Sequence, residues 1–108
     1  MLKRLFNWLL GLIKHDDLYK YKFVDDVPES ISSGKIYIVG NKGYHWQGVM
    51  LCPCGCKEHL YINFIEEQHP CWTYKIGGEK KITLHPSLWR KTGCKSHFFV
   101  KKGKVVWV

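Results

Sequence analysis

Three cysteines crowd into the five residues Cys52-Pro53-Cys54-Gly55-Cys56, and a fourth opens the run Cys94-Lys95-Ser96-His97. This spacing constrains the fold more than any other feature of the 108-residue chain. Thiols so close in sequence bridge one another poorly, because a disulfide wants Cα atoms about 4.4–6.8 Å apart with suitable Cβ directions. The total of five cysteines is odd, which excludes a complete intrachain disulfide set. Free thiols at this density fit a reducing cytoplasm and metal ligation. A structural zinc site takes four ligands, commonly two from one tight turn and two from a distant one. Cys94 and His97 have the spacing of a close ligand pair, and two of Cys52, Cys54 and Cys56 complete the set. Spacing alone leaves open which of those three is spare. Gly55 permits the sharp reversal and Pro53 stiffens it. His59 and His69 are fallback ligands, and Cys71 reads as a small buried hydrophobe.

The rest of the chain predicts what such a staple would join. From Lys35 onward the sequence reads as short strands broken by turns. Ile36–Val39 is β-branched and aromatic, and Gly40–Gly43 has turn chemistry. Gly48–Leu51 runs into the cysteine cluster, and His59–Ile65 resumes with Leu60, Ile62 and Phe64 alternating against Tyr61 and Asn63. Trp72–Ile76 and Lys81–Leu84 flank Gly77-Gly78 as a hairpin. Phe98–Val100 and Val105–Val108 flank a second turn at Lys101–Lys104. Pro86–Trp89 is expected as a single helical turn. The expected fold is mostly β: a small antiparallel sheet of hairpins stapled by zinc, zinc-ribbon-like, over residues 35–108. Residues 15–34 read as a connector rich in turn formers. Residues 1–14 read as an amphipathic helix, with Lys3, Arg4 and Lys14 on one face and Leu2, Leu5, Phe6, Leu9 and Ile13 on the other. Such a helix suits a membrane surface or its own domain. No small-residue cleavage site follows it, which argues against a cleaved signal.

Charge is distributed unevenly. Lys plus Arg is 17 and Asp plus Glu is 9, a formal +8. Residues 1–74 carry eight of each sign, so the whole excess lies in residues 75–108, where nine basic residues face Glu79 alone. An apolar content of 45% excludes a disordered chain, and no apolar run is long enough to span a bilayer. A basic, aromatic-rich end suits an acidic partner, such as nucleic acid, an anionic membrane or an acidic protein face.

As an ordered set, Cys52-Pro53-Cys54-Gly55-Cys56, Thr83-Leu84-His85-Pro86-Ser87-Leu88, Cys94-Lys95-Ser96-His97-Phe98-Phe99 and Val105-Val106-Trp107 resemble a bacterial family, domain-of-unknown-function family 6527. The resemblance covers about Glu29–Val108. It implies a small metal-binding protein encoded beside ubiquitin-like proteins and their activating and conjugating enzymes, and an accessory, adaptor or ligase-like role with those proteins as partners. The family often continues the cysteine cluster with glycine, where this chain has Lys57.

Three functions compete at this point. The first is a zinc-stabilised protein-interaction module of a bacterial ubiquitin-like conjugation system, with Leu84, Pro86, Leu88, Trp89 and Trp107 as candidate contacts. The second is a weakly specific nucleic-acid-binding protein using Lys80, Lys81, Arg90, Lys91, Lys95, Lys101, Lys102 and Lys104. The third is a cysteine-dependent thioester relay that uses a spare thiol of the cluster. No histidine–acid orienting pair is readable, so the residues favour a non-enzymatic module and leave catalysis undecided.

Overall fold

The computed structural model describes residues 18–108. The amphipathic helix expected over residues 1–14 lies outside them. Eight strands follow one another: β1 (Lys20–Val24), β2 (Lys35–Asn41), β3 (Tyr44–Leu51), β4 (His59–Asn63), β5 (Thr73–Ile76), β6 (Ile82–Trp89), β7 (His97–Lys101) and β8 (Lys104–Trp107). They form two four-stranded sheets, β1-β2-β3-β4 and β5-β6-β7-β8. Among the described residues there is no helix, and hence none long and apolar enough to cross a membrane.

Alternation builds the core. Ile36, Ile38, Met50, Leu60 and Ile62 of the first sheet meet Ile82, Leu84, Leu88, Phe98 and Val100 of the second in one buried cluster. Two half-buried sheets bury their apolar rows only against each other, so the chain closes as a sandwich. β2 is apolar on both faces because its outer side is covered as well. Tyr37, Val39 and Val49 form a second small cluster with Val24, Ile31 and Trp46. The Ser32 amide donates to the Tyr37 hydroxyl at 3.2 Å, which ties the covering loop down.

Three features differ from expectation. The strands form two facing sheets rather than the one small antiparallel sheet expected, because each sheet's apolar row is buried against the other's. The stretch read as a connector holds β1, which pairs with β2 in parallel, Lys20 opposite Lys35 through Val24 opposite Val39. Its strand character is hidden in sequence because it lies at an edge with Phe23 about half exposed, at 48%. Pro86–Trp89 is extended within β6 and is not a helical turn. Leu88 pairs with Phe98 and points into the core, so Ser87 and Trp89 point outward by the pleat.

The remaining contacts fix the sheet ends. Gly103 donates its amide to the Ile82 carbonyl at 2.7 Å and accepts from the Tyr19 amide at 2.7 Å. Asn63 organises the loop after β4. Its Nδ2 reaches the carbonyls of Ile65, Gln68 and Pro70, and its Oδ1 accepts from the Ile65 amide. The Trp72 amide then returns to the Asn63 carbonyl at 2.8 Å.

The β2–β3 register slips between Val39 and Gly40. A Cβ at Gly40 would fall inside van der Waals contact of the Tyr44 carbonyl oxygen and the His45 backbone. Backbone cannot yield as a side-chain tip can. Gly40→Ala is therefore expected to destabilise the domain by about 1–3 kcal/mol. Chemical denaturation checks this, and an unchanged midpoint contradicts it.

Candidate functional site

The turn after β3 and the loop between β6 and β7 meet at one end of the sandwich. There the Sγ atoms of Cys52, Cys54, Cys56 and Cys94 all lie within 4.8 Å of one another. Cys52 is 3.5 Å from Cys54 and 3.6 Å from Cys94, and Cys56 is 3.9 Å from Cys94. These are not disulfide distances, and all four are free thiols. A tetrahedron with metal–sulfur bonds of about 2.3 Å has sulfur–sulfur edges of about 3.8 Å. The thiols therefore stand with the spacing that a tetrahedral metal ion requires, and they can hold one, with zinc consistent with the donor set.

Local conformation gathers them. Gly55 sits at φ 96° and Lys57 at φ 64°, both in the left-handed region, so the chain reverses twice within the cluster. The Cys52 amide donates to the Glu58 carbonyl at 2.8 Å and closes the turn. On the other side, Lys95 also takes a left-handed conformation, φ 55°, and the Arg90 amide closes the loop on the Ser96 carbonyl at 2.7 Å. Ser96 is buried, with its Oγ 3.0 Å from Cys94 Sγ and 3.5 Å from Cys52 Sγ. The Ser96 hydroxyl is the chief cause that draws the Cys94 thiol down to about 6. Cys94 is thus available as the thiolate, the form that binds metal. The Arg90 guanidinium adds donors at 3.3 Å to Cys94 and 3.5 Å to Cys56, where it offsets part of the negative charge of the thiolates.

His97 departs from the expected ligand set. It is not among the side chains gathered at the thiols. Along an extended chain, neighbouring side chains point to opposite faces. Ser96 and Phe98 are buried, so the His97 ring turns to the outer face. The first three cysteines all join Cys94, leaving no spare thiol among them. Cys71 lies outside the group, with its Sγ 3.7 Å from the Trp72 carbonyl oxygen.

On the outer face His97 meets a different partner. Ser87 Oγ lies 2.9 Å from His97 Nε2. The register explains the meeting. Leu84 pairs with Val100 and Leu88 with Phe98, so His85, Pro86 and Ser87 of β6 bulge opposite Phe99 alone. Pro86 has no amide to give to a ladder, which suits it to such a bulge. Trp89 pairs with His97 directly, and Ser87, two residues earlier, is on the same face. The Ser87 carbonyl accepts from Trp72 Nε1 at 3.1 Å, which holds the bulged backbone. The indole of Trp89 stacks on the imidazole at 4.7 Å and 7°. A hydroxyl hydrogen-bonded to an imidazole nitrogen is the minimal unit of nucleophile and general base. Beside it a groove of about 280 Å³ is lined by His59, Tyr61, Trp72, Leu88, Trp89 and Arg90.

Ser87 lies in the run Thr83–Leu88 that carries part of the family resemblance, but nothing in that run marks it as a nucleophile. The one usable signal was the alternation of Ser87, Leu88 and Trp89 followed, across a short loop, by His97 and Phe98. It places serine and histidine on one face once β6 and β7 are paired.

Two predictions follow from this geometry. Replacing Cys52, Cys54, Cys56 or Cys94 singly by Ser is expected to abolish stoichiometric metal in the purified protein, whereas His97→Gln retains about one ion per chain; elemental analysis reads the difference. Lys57→Gly is expected to raise stability by about 1 kcal/mol, since a non-glycine residue pays roughly 1–2 kcal/mol in the left-handed region. Thermal denaturation that shows no gain contradicts this.

A search of curated proteins and a search of solved structures find no match to the chain. Comparison with protein families matches residues 23–108 to BubE, described as a bacterial ubiquitination-like system serine protease. The match spans nearly the whole described region and includes the four clustered thiols, Ser87 and His97. The chain belongs to the BubE family of a bacterial ubiquitination-like system.

Proposed function

We propose that the chain is a serine hydrolase of that system, with Ser87 as nucleophile and His97 as general base. The observation that carries the reading is the 2.9 Å contact between Ser87 Oγ and His97 Nε2 on the outer face of the second sheet. The description of the family as a serine protease supports it. Its substrate class is a peptide or ester carbonyl at the C-terminal tail of a ubiquitin-like protein. That protein and its activating and conjugating enzymes are the partners. The free thiols fit a reducing cytoplasm, and the basic last third suits an acidic face on such a partner.

The steps use this chain's own groups. His97 Nε2 takes the Ser87 proton as Oγ attacks the substrate carbonyl. The imidazolium then returns that proton to the leaving amine or alcohol, and the acyl group remains as an ester on Oγ. Water, deprotonated by the same nitrogen, hydrolyses the ester and restores the hydroxyl. The groove beside Ser87, walled by Trp72 and Trp89, is the place for the tail on its way to the nucleophile.

Cys52, Cys54, Cys56 and Cys94 would hold zinc in a structural role. Four thiolates fill a tetrahedral shell and leave no open position for substrate, so the ion supplies a rigid cross-link. Cys94, so held, would fix the Arg90–Ser96 loop, which sets where His97 enters β7 relative to Ser87 on β6.

Three experiments test the reading. A fluorophosphonate probe is expected to label Ser87, as located by peptide mass spectrometry. Ser87→Ala and His97→Ala are expected to lose cleavage of a C-terminally extended ubiquitin-like protein of the system by about 100-fold or more. Cleavage that persists in Ser87→Ala refutes the assignment. Chelation is expected to abolish labelling together with folded near-ultraviolet circular dichroism, because structural zinc contributes folding free energy.

A further inference from the structure

A histidine acting as general base needs its ring held at one angle, and in a serine–histidine–aspartate triad a buried carboxylate does this. Among the described residues the one ion pair is Lys81–Glu79, at the far end of β6, so no described carboxylate pairs with His97. The hydrogen bond recorded for its ring is the one to Ser87. What the ring does have is an aromatic platform. Trp89 pairs with His97 across β6 and β7, and the two rings stack nearly parallel, 7° apart with centroids at 4.7 Å. The Lys91 ammonium lies 4.3 Å from the centroid of the same indole and helps fix it. Trp89 is nevertheless 57% exposed, which is unusual for so large an apolar side chain with no packing role in the core.

We infer that Trp89 is the positioning residue of the reacting pair: its indole face holds the His97 ring in line with Ser87 and stabilises the imidazolium that forms when the proton arrives. This inference rests on the assignment of Ser87 and His97 above. Two physical effects support it. Parallel stacking across a strand pair removes rotation about the imidazole side-chain torsions and keeps Nε2 aimed at Oγ. A tryptophan face also attracts a cation, by about 0.5–2 kcal/mol. The attraction grows only as the ring becomes charged, and so it favours the transition state over the ground state. The device stands on the outer face and costs the core nothing.

The test uses the metal-loaded full chain and a fluorophosphonate probe, which reports on Ser87 without requiring the natural substrate. In the labelling step Oγ bonds to phosphorus, fluoride leaves, and His97 takes the hydroxyl proton. Four variants are compared with the parent protein: Trp89→Phe, Trp89→Leu, Trp89→Thr and His97→Ala. Melting temperature and metal content are measured alongside. The expected result is labelling slowed about tenfold or more in Trp89→Leu and Trp89→Thr, within about threefold of the parent in Trp89→Phe, and lost in His97→Ala, with melting and metal content unchanged across the Trp89 set. A structural loss would not be rescued selectively by phenylalanine. Parent-like rates in the Leu and Thr variants, with His97→Ala inactive, overturn the inference and leave the reacting pair standing. Equal slowing in Phe, Leu and Thr also overturns it, because the aromatic face would then be irrelevant. Labelling that survives undiminished in His97→Ala overturns the assignment of the pair itself.

Discussion

Cys52 and Cys94 lie 42 positions apart in sequence and 3.6 Å apart at their sulfurs. The first follows β3 of one sheet and the second lies in the β6–β7 loop of the other. This junction of two sheets is the constraint on which the functional end of the molecule depends. A sandwich of short strands has a modest core, and a domain of this size gains from a covalent or coordinate staple. Here the four thiols that could hold such a staple sit next to the segment that carries His97. Cys94 and Ser96 turn toward the thiols from the loop, and His97, the next residue, opens β7 on the opposite side of the chain. Fixing the first two toward the thiols therefore fixes the third toward the outer face.

Much of this was legible from residues, for identifiable reasons. β4 announces itself because Leu60 and Ile62 alternate with Tyr61 and Asn63, and the two glycine-marked hairpins place β5 to β8. The thiol cluster was legible because few arrangements other than a metal site tolerate three cysteines in five residues. The parts that were not legible are tertiary. β1 is an exposed edge whose partner is parallel, so no tight hairpin turn signals it. His97 shares the spacing of a ligand pair with Cys94, yet the pleat, set by burial of Ser96 and Phe98, sends its ring away. Ser87 stands within the Thr83–Leu88 run without any nucleophile signature around it. Its meeting with His97 depends on a bulge of three residues against one, which only the paired register shows.

The charge asymmetry also takes on a location. The basic excess lies on the second sheet, chiefly on the turns and loops that join β5 to β8, and this sheet's outer face bears Ser87, Trp89 and His97. A protein partner with an acidic surface would be drawn by this field toward the face where the proposed chemistry takes place. Lys91 and Arg90 connect the two roles, one lying over the Trp89 ring and the other donating to the thiols.

The pleat of β6 and β7 divides labour in a way that has a genetic consequence. Inward residues such as Leu88 and Phe98 hold the two sheets together, whereas outward neighbours such as Ser87 and His97 contribute little to the core. Lesions at alternate positions of the same strand should therefore sort into two phenotypes. Substitutions at Ser87 or His97 would, under the proposed chemistry, yield normal amounts of an inert protein that can still occupy its partner and act dominantly. Substitutions at Leu84, Leu88, Phe98 or Val100 would deplete the protein from the cell and behave as recessive losses.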